Sequence, residues 1–482
     1  MSLRVNSSIL NSASTVFTGS NPQDNADSPR GARPTSVGLA AWIGLVLICE
    51  FLFTKVEFAT EGTGWTRMPA IGLCLWFVVT ARRKAGERFV EGSSLFCAGL
   101  FYGYFVVRLA LDSPELSEFI GYSVSYSHGV IFGFTLGLVC RVFLDTLSAR
   151  INARHALVFG LGFVALNLWL LLQVWARASE HEDVHKRFAF VVNSTYQDSA
   201  IYLAIIAILV AGVLARTAAG VESGTRVARG AGVVALLLAS WFTVAASGLT
   251  QFLGSNAGPA YMIPVGIIGI SCLLLRPTGM MRQSGGGTKP ETAILTLFRP
   301  LAIQWLWKAA LVLVIVITIG LAALWAGVLD PSAFRAFGFG EFTVMNSSVV
   351  SRRDLFTENF MTHLAHAPVL GDMFVDRKTT GSGTYVHSLL SIVPHLGLVG
   401  SGLFICYALS AARQMSREWM RGRREWREAC FVICGVGLLV SVATLSTAMT
   451  FFTAIPLWFS FGLFAPVIEI RRRCPKVVTR GR

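Results

Sequence analysis

The sequence predicts an all-α polytopic membrane protein of about twelve spanning helices, with a large outer loop between the ninth and tenth. Three observations predict it. Apolar residues make up 54% of the 482 and charged ones only 14%, against roughly 45–50% and 25% in soluble domains, which excludes a soluble globular enzyme. The apolar residues gather in runs long enough to cross a bilayer, about 20 residues each. The Lys and Arg behind the net charge of +14 sit in short clusters between those runs, the pattern that orients membrane proteins rather than a stripe fit for nucleic acid.

Along the chain, residues 1–35 are rich in Ser, Asn, Asp and Pro without an apolar core, and read as a disordered cytoplasmic tail rather than a cleavable signal peptide. Helices 1–9 fall within 36–329, near 36–54, 66–80, 92–111, 119–140, 156–175, 199–215, 231–248, 259–275 and 305–329. A basic loop follows every second one. These hold Arg82, Arg83, Lys84 and Arg88, then Arg141, Arg150 and Arg154, then Arg216, Arg226 and Arg229, then Arg276, Arg282, Lys289 and Arg299. Residues 330–387 form the large outer loop, in which Leu355 to Leu370 suit an amphipathic helix. Helices 10–12 fall within 388–469, near 388–409, 429–447 and 450–469, with a basic cluster from Arg413 to Arg427 and a basic cytoplasmic tail at 470–482. With both termini inside, 30 of the 41 Lys and Arg lie on the cytoplasmic side, so the positive-inside rule fixes the orientation.

Outer loops at 176–198 and 330–387 exceed the usual length of a connection, and loops this long are commonly functional. No internal repeat is visible, which argues against a transporter built from paired repeats. None of the nine Cys lies in an outer loop, so no disulfide or Cys-ligated metal is implied there, and Cys430 and Cys434 read as packing. A Walker loop, His-Glu-x-x-His, Gly-x-Ser-x-Gly and Cys-x-x-Cys are all missing, so nucleotide and zinc chemistry have no support. An enzyme working on the outer face needs an already activated substrate.

Several polar groups have plain readings. Arg353 is a solvated loop charge, and His128 and His395 are packing histidines within helices. Arg108 and Asp112, four apart at a helix end, pair with each other, and Glu50 reads alike. Trp305, Trp307, Trp325 and Trp458 are interface anchors, while Gly397, Gly400 and Gly402 permit close helix contact.

One ordered series goes further. It runs from Ser351-Arg352 and Phe356 through His366-Ala-Pro-Val-Leu-Gly371 to Gly383-Thr-Tyr-Val-His387-Ser388, and on to His395-Leu-Gly397-Leu-Val-Gly400. This resembles the O-antigen polymerase and O-antigen ligase superfamily: an Arg opening a loop helix, a Pro-Leu-Gly type turn, and a His before Gly-Leu-Ile-Gly in the next spanning helix. The stretch from Arg187-Phe through Asn193-Ser-Thr-Tyr196 is similar to the family's second landmark. Departures are Ser388 where the family usually has Asn, and Ser255-Asn256 where a Ser-Arg-like turn is usual, so that Arg187 or Arg377 has to replace that charge.

The resemblance implies a GT-C-like fold in the bacterial inner membrane, with the large loop periplasmic and no cofactor or metal. It implies a glycosyltransferase that joins undecaprenyl diphosphate-linked oligosaccharides into O-antigen, exopolysaccharide or capsule. Membrane lipids surround it, a chain-length regulator and a flippase are candidate partners, and nucleic acid is not one. Arg352 and His387 would be catalytic, with Arg187, Tyr196, Arg377 and Ser388 binding substrate. Arg352 and Arg187 would hold the diphosphate as planar charged forks, a kind of stabilisation worth about 2.7–4 kcal/mol per well-placed donor. His387 would take the proton of the acceptor sugar hydroxyl. Ligases commonly carry a second His near the loop's end, and His363 and His366 lie about twenty residues upstream, which favours polymerase. Ligation to a lipid A core or to protein is the runner-up, and a lipid-linked sugar flippase comes third.

Overall fold

The computed structural model describes residues 36–57, 67–84, 93–113, 115–117, 120, 126–150, 153–180, 196–220, 238, 241–250, 252–253, 348–381, 389–420 and 451–464. Among these residues there are helices and no strands. Five spans among the described residues are long and apolar enough to cross a membrane: Ser36–Val56, Leu95–Asp112, Gly129–Leu147, Val158–Ser179 and Leu389–Ala411. The protein is a helical membrane protein, as a chain must be when its apolar runs leave the backbone no water to bond.

The helices are α1 (Ser36–Glu57), α2 (Arg67–Lys84), α3 (Ser93–Asp112), α4 (Gly133–Arg150), α5 (Ala153–Ser179), α6 (Tyr196–Gly220), α7 (Ser348–His366), α8 (Val375–Thr379), α9 (Ile392–Met420) and α10 (Ile455–Phe464). Helix α1 packs on α2, α4, α5 and α6. Arg67 donates to Glu50 at 2.9 Å to close the α1–α2 hairpin, and Trp42 Nε1 donates to the Phe159 carbonyl at 3.1 Å, tying α1 to α5. Helix α3 runs antiparallel to α9, with Tyr104 beside Gly400, Phe101 beside Phe404 and Tyr102 beside Tyr407.

Helices α4 and α10 run parallel and nearly touch backbone to backbone. Gly133 faces Ile455 and Trp458, Gly137 faces the Phe459 carbonyl, and Gly462 faces the Phe134 carbonyl. Only residues without a Cβ allow that approach, which gains van der Waals contact that lipid cannot supply. Every residue of α10 from Ile455 to Leu463 is buried, so it is apolar on all sides.

Three expectations need correction. The fourth helix continues through Arg141 to Arg150, which the charge pattern placed in a loop, and Arg82, Arg83 and Lys84 in α2, Arg154 in α5 and Arg216 in α6 likewise stand inside helices. Arg141 is buried, its Nε donates to Asp145 at 3.1 Å one turn on, and its Nη1 reaches the Leu463 carbonyl at 3.5 Å. A charge paired within its own helix does not end that helix. The same helix opens with a π-turn at His128–Phe132. Trp458 is no interface anchor: it is fully buried, stacks on Phe101 at 5.5 Å, and satisfies its indole N–H on the Phe451 carbonyl at 2.7 Å, because the 3-10 turn Phe451–Thr453 folds back over it. The amphipathic helix of the large loop is α7, which ends at His366 instead of Leu370. Pro368 disfavours helical backbone at Ala367, and the chain turns there.

The readings of residues 1–35, of the apolar runs 259–275, 305–329 and 429–447, and of Trp305, Trp307, Trp325, Cys430, Cys434 and Asn256 lie outside the described residues.

Candidate functional site

Helix α9 is broken near its start. Gly397 has φ +64°, so the helical bonding pattern stops there and starts again beyond it. Polar backbone opened within an apolar span must find partners in protein. The turn after α7 supplies them: Leu398 N–H donates to the Pro368 carbonyl at 3.0 Å and Val399 N–H to the Val369 carbonyl at 3.1 Å, while the Pro394 carbonyl accepts from Asp372 N–H at 3.1 Å. Gly371, with φ +74°, crosses Gly397 so closely that a Cβ on either would strike the other's backbone. The two segments that carry the resemblance, His366 to Gly371 and His395 to Gly400, are thereby joined through their backbones.

Helix α3 holds the turn from the side. Tyr104 donates its hydroxyl to the Leu370 carbonyl at 2.7 Å, Arg108 Nη2 donates to the Gly371 carbonyl at 2.6 Å and to Asp112, and Asp112 accepts the Met373 N–H at 2.9 Å. These three residues, each four apart, make one stripe along α3. Leu398 sits nine residues into its span and Tyr104 eight before the end of its own, so the turn lies against the apolar stretches of both helices. Val369, Leu370 and Leu398 stay exposed there, as side chains facing lipid can.

Beyond the crossing, Asp372 organises the rest. It accepts from Lys378 Nζ at 2.7 Å and Phe374 N–H at 2.9 Å, with His366 Nε2 at 3.3 Å. Burial opposes its charge, but the Lys378 and Phe374 bonds and the Lys378 and His366 charges outweigh that and hold its carboxyl below the usual value. Burial pushes the Asp376 carboxyl up. Burial, with His366 close by, pushes the His363 imidazole down. His395 is 1% exposed, its Nδ1 lies 3.2 Å from the Met373 carbonyl, and its ring meets Phe452 edge-on at 4.9 Å.

The residues expected from sequence are placed as follows. Arg352 lies on the second turn of α7, Tyr196 opens α6, and Arg377 is exposed on α8 beside Lys378. Arg187, His387 and Ser388 lie outside the described residues. Among the glycines, Gly397 admits the turn after α7, Gly400 admits Tyr104, and Gly402 faces open space, so the close-contact reading fails for Gly402. Tyr104, Arg108, Asp112, Asp372 and His395 had no functional reading from sequence. The stripe of Tyr, Arg and Asp at four-residue spacing was the visible signal, and mutual pairing of Arg108 with Asp112 accounts for only part of what they do. No family model matches the chain, and no curated protein matches it.

Proposed function

We propose that the chain is an integral-membrane glycosyltransferase that joins lipid diphosphate-linked oligosaccharide repeats on the periplasmic face of the bacterial inner membrane. The carrying observation is the seat itself. A Pro-Val-Leu-Gly371 turn and a Gly397-Leu-Val-Gly400 segment of a candidate span pair through their backbones, where a lipid-borne diphosphate and a sugar hydroxyl could meet. Discontinuous helices of this kind commonly mark substrate sites in membrane proteins.

In this reading Arg352, Arg187 and Arg377 hold the diphosphate, His387 takes the hydroxyl proton, and Tyr196 and Ser388 contact sugar. The chain has twelve spans in a GT-C-like bundle with both termini cytoplasmic. Helix directions support that count. Helices α9 and α10 run the same way as α4, as the tenth, twelfth and fourth of twelve alternating spans should.

Ligation of a finished glycan stays as a second reading for one reason. His363 Nε2 lies 2.8 Å from Thr380 Oγ1, so a histidine stands near the loop's end in space although it is far upstream in sequence.

Purified protein in lipid nanodiscs, given lipid-linked repeats without nucleotide, is expected to yield a ladder of longer glycans. Adding a lipid A core acceptor separates the readings: a single transfer to it, without a ladder, favours ligation. Absence of both products, with repeats instead crossing vesicle membranes, overturns the enzyme.

A further inference from the structure

Two imidazoles flank the α8 turn, and each spends one nitrogen on it. A carbonyl only accepts, so His395 Nδ1 carries the proton it gives to Met373, and Nε2 of the neutral ring holds a lone pair. On the other side, Thr380 donates its single hydroxyl proton to the Asp376 carbonyl at 3.2 Å, so it accepts from His363 Nε2, and the His363 lone pair is on Nδ1. His395 Nε2, His363 Nδ1 and Asp376 Oδ1 are all buried without a hydrogen-bond partner. The residues are 1%, 0% and 7% exposed.

Unpartnered buried polar atoms are rare and costly, and three around one fifteen-residue turn call for an explanation. All three can accept. What satisfies them is a molecule rich in O–H donors and poor in charge, because an anion would face three lone pairs and an ammonium would have to shed its hydration inside an apolar span. We propose that the layer beneath the turn, between His395 on α9 and His363 on α7, is a polyhydroxyl-binding site that grips the sugar of the acceptor. It rests on the glycosyltransferase reading for the identity of that sugar. The turn covers the site in the structure described, so admitting a glycan requires it to move aside. His395 and His363 act by binding, leaving proton transfer to the residue that meets the diphosphate.

The test compares full-length protein in nanodiscs with His395→Phe and His363→Phe, changes on opposite walls that keep a ring of similar size. The probes are undecaprenyl diphosphate alone and the same carrier bearing one oligosaccharide repeat, with binding read by the shift in melting temperature and turnover by glycan length. The wild type is expected to bind the repeat-bearing carrier more tightly than the bare one. Each variant should bind the bare carrier like wild type but lose about tenfold in the glycan-dependent part, the scale of one lost hydrogen bond to a buried group. Equal glycan-dependent binding in wild type and both variants overturns the inference; the enzyme reading then survives if ladders still form. Loss of bare-carrier binding along with glycan binding also overturns it, by making the histidines structural. A wild type that binds repeats but never extends or transfers them overturns the glycosyltransferase reading while the binding site stands.

Discussion

Arg108 is the residue on which the turn most depends. Its side chain is 13% exposed and that of Asp112 9%, so removing the guanidinium leaves a buried carboxylate without its partner and the Gly371 carbonyl without its donor. Arg108→Ala is expected to destabilise the seated turn by about 3–5 kcal/mol, the range for breaking a buried pair, whereas Tyr104→Phe loses one hydrogen bond, about 1 kcal/mol. Hydrogen exchange at Leu398 and Val399 amides measures both; protection unchanged in Arg108→Ala would remove the clamp. The seat should also respond to acid. The His363 pKa is lower in the fold than in the unfolded chain, so its contribution is present above 6.5 and is lost as pH falls through the folded value. Asp372, also lowered, loses its contribution only below 3.8, while Asp376, raised, acts in the opposite sense. Turn amides should therefore begin to lose protection as pH drops from 6.5, and His363→Gln should flatten that first phase. Sequence carried part of this. The Arg108–Asp112 pair was legible because four-residue spacing puts both on one helix face. Its grip on residues 371 and 373 was not, since nothing local in α3 says which distant carbonyl the guanidinium meets. His395 read as a packing histidine, which is true of its ring and of Nδ1 but not of Nε2.

At the scale of elements, two glycine crossings set the geometry. At the α7–α9 crossing, Gly397→Ala has both a positive φ, worth about 1–2 kcal/mol against any Cβ, and a backbone collision, while Gly402→Ala meets nothing. The first is expected to abolish glycan extension and free the turn to proteolysis; the second should match wild type. Equal proteolysis of the two variants would show that the break is not needed. At the α4–α10 crossing, Gly137→Ala drives a methyl into the Phe459 carbonyl and should cost about 1–3 kcal/mol or more through forced separation of the helices. Tryptophan fluorescence of Trp458, buried beside that contact, would report it. Apolar run length located α1, α2, α3, α5 and α6 to within a few residues, because length and hydropathy govern a span's limits. It missed the end of α4 by ten residues, because a helix that pairs its own Arg and Asp can carry them inward.

At the scale of the molecule, the expected topology places Ser382 in the loop on the outer side. A Cys there in a Cys-depleted variant should react with an impermeant reagent added to intact cells; reaction only after rupture would invert every assignment of side. The fold class was legible from composition and run length, since a bilayer admits few ways to satisfy a backbone. The pairing of the turn with the broken helix was not, because residues 367–373 are too few and too mixed to register as an apolar run and their backbone partners lie in another element.

The parallel contact between α4 and α10 also sets an order of manufacture. Arg141 meets the carbonyl of Leu463, 322 residues later in the chain. At roughly 5–20 residues per second, the ribosome leaves α4 without that neighbour for on the order of tens of seconds, its glycine groove and buried ion pair uncovered in the bilayer. The packing of α4 therefore waits for α10 to be synthesised, and a nascent chain interrupted before residue 451 would leave that face of α4 uncovered.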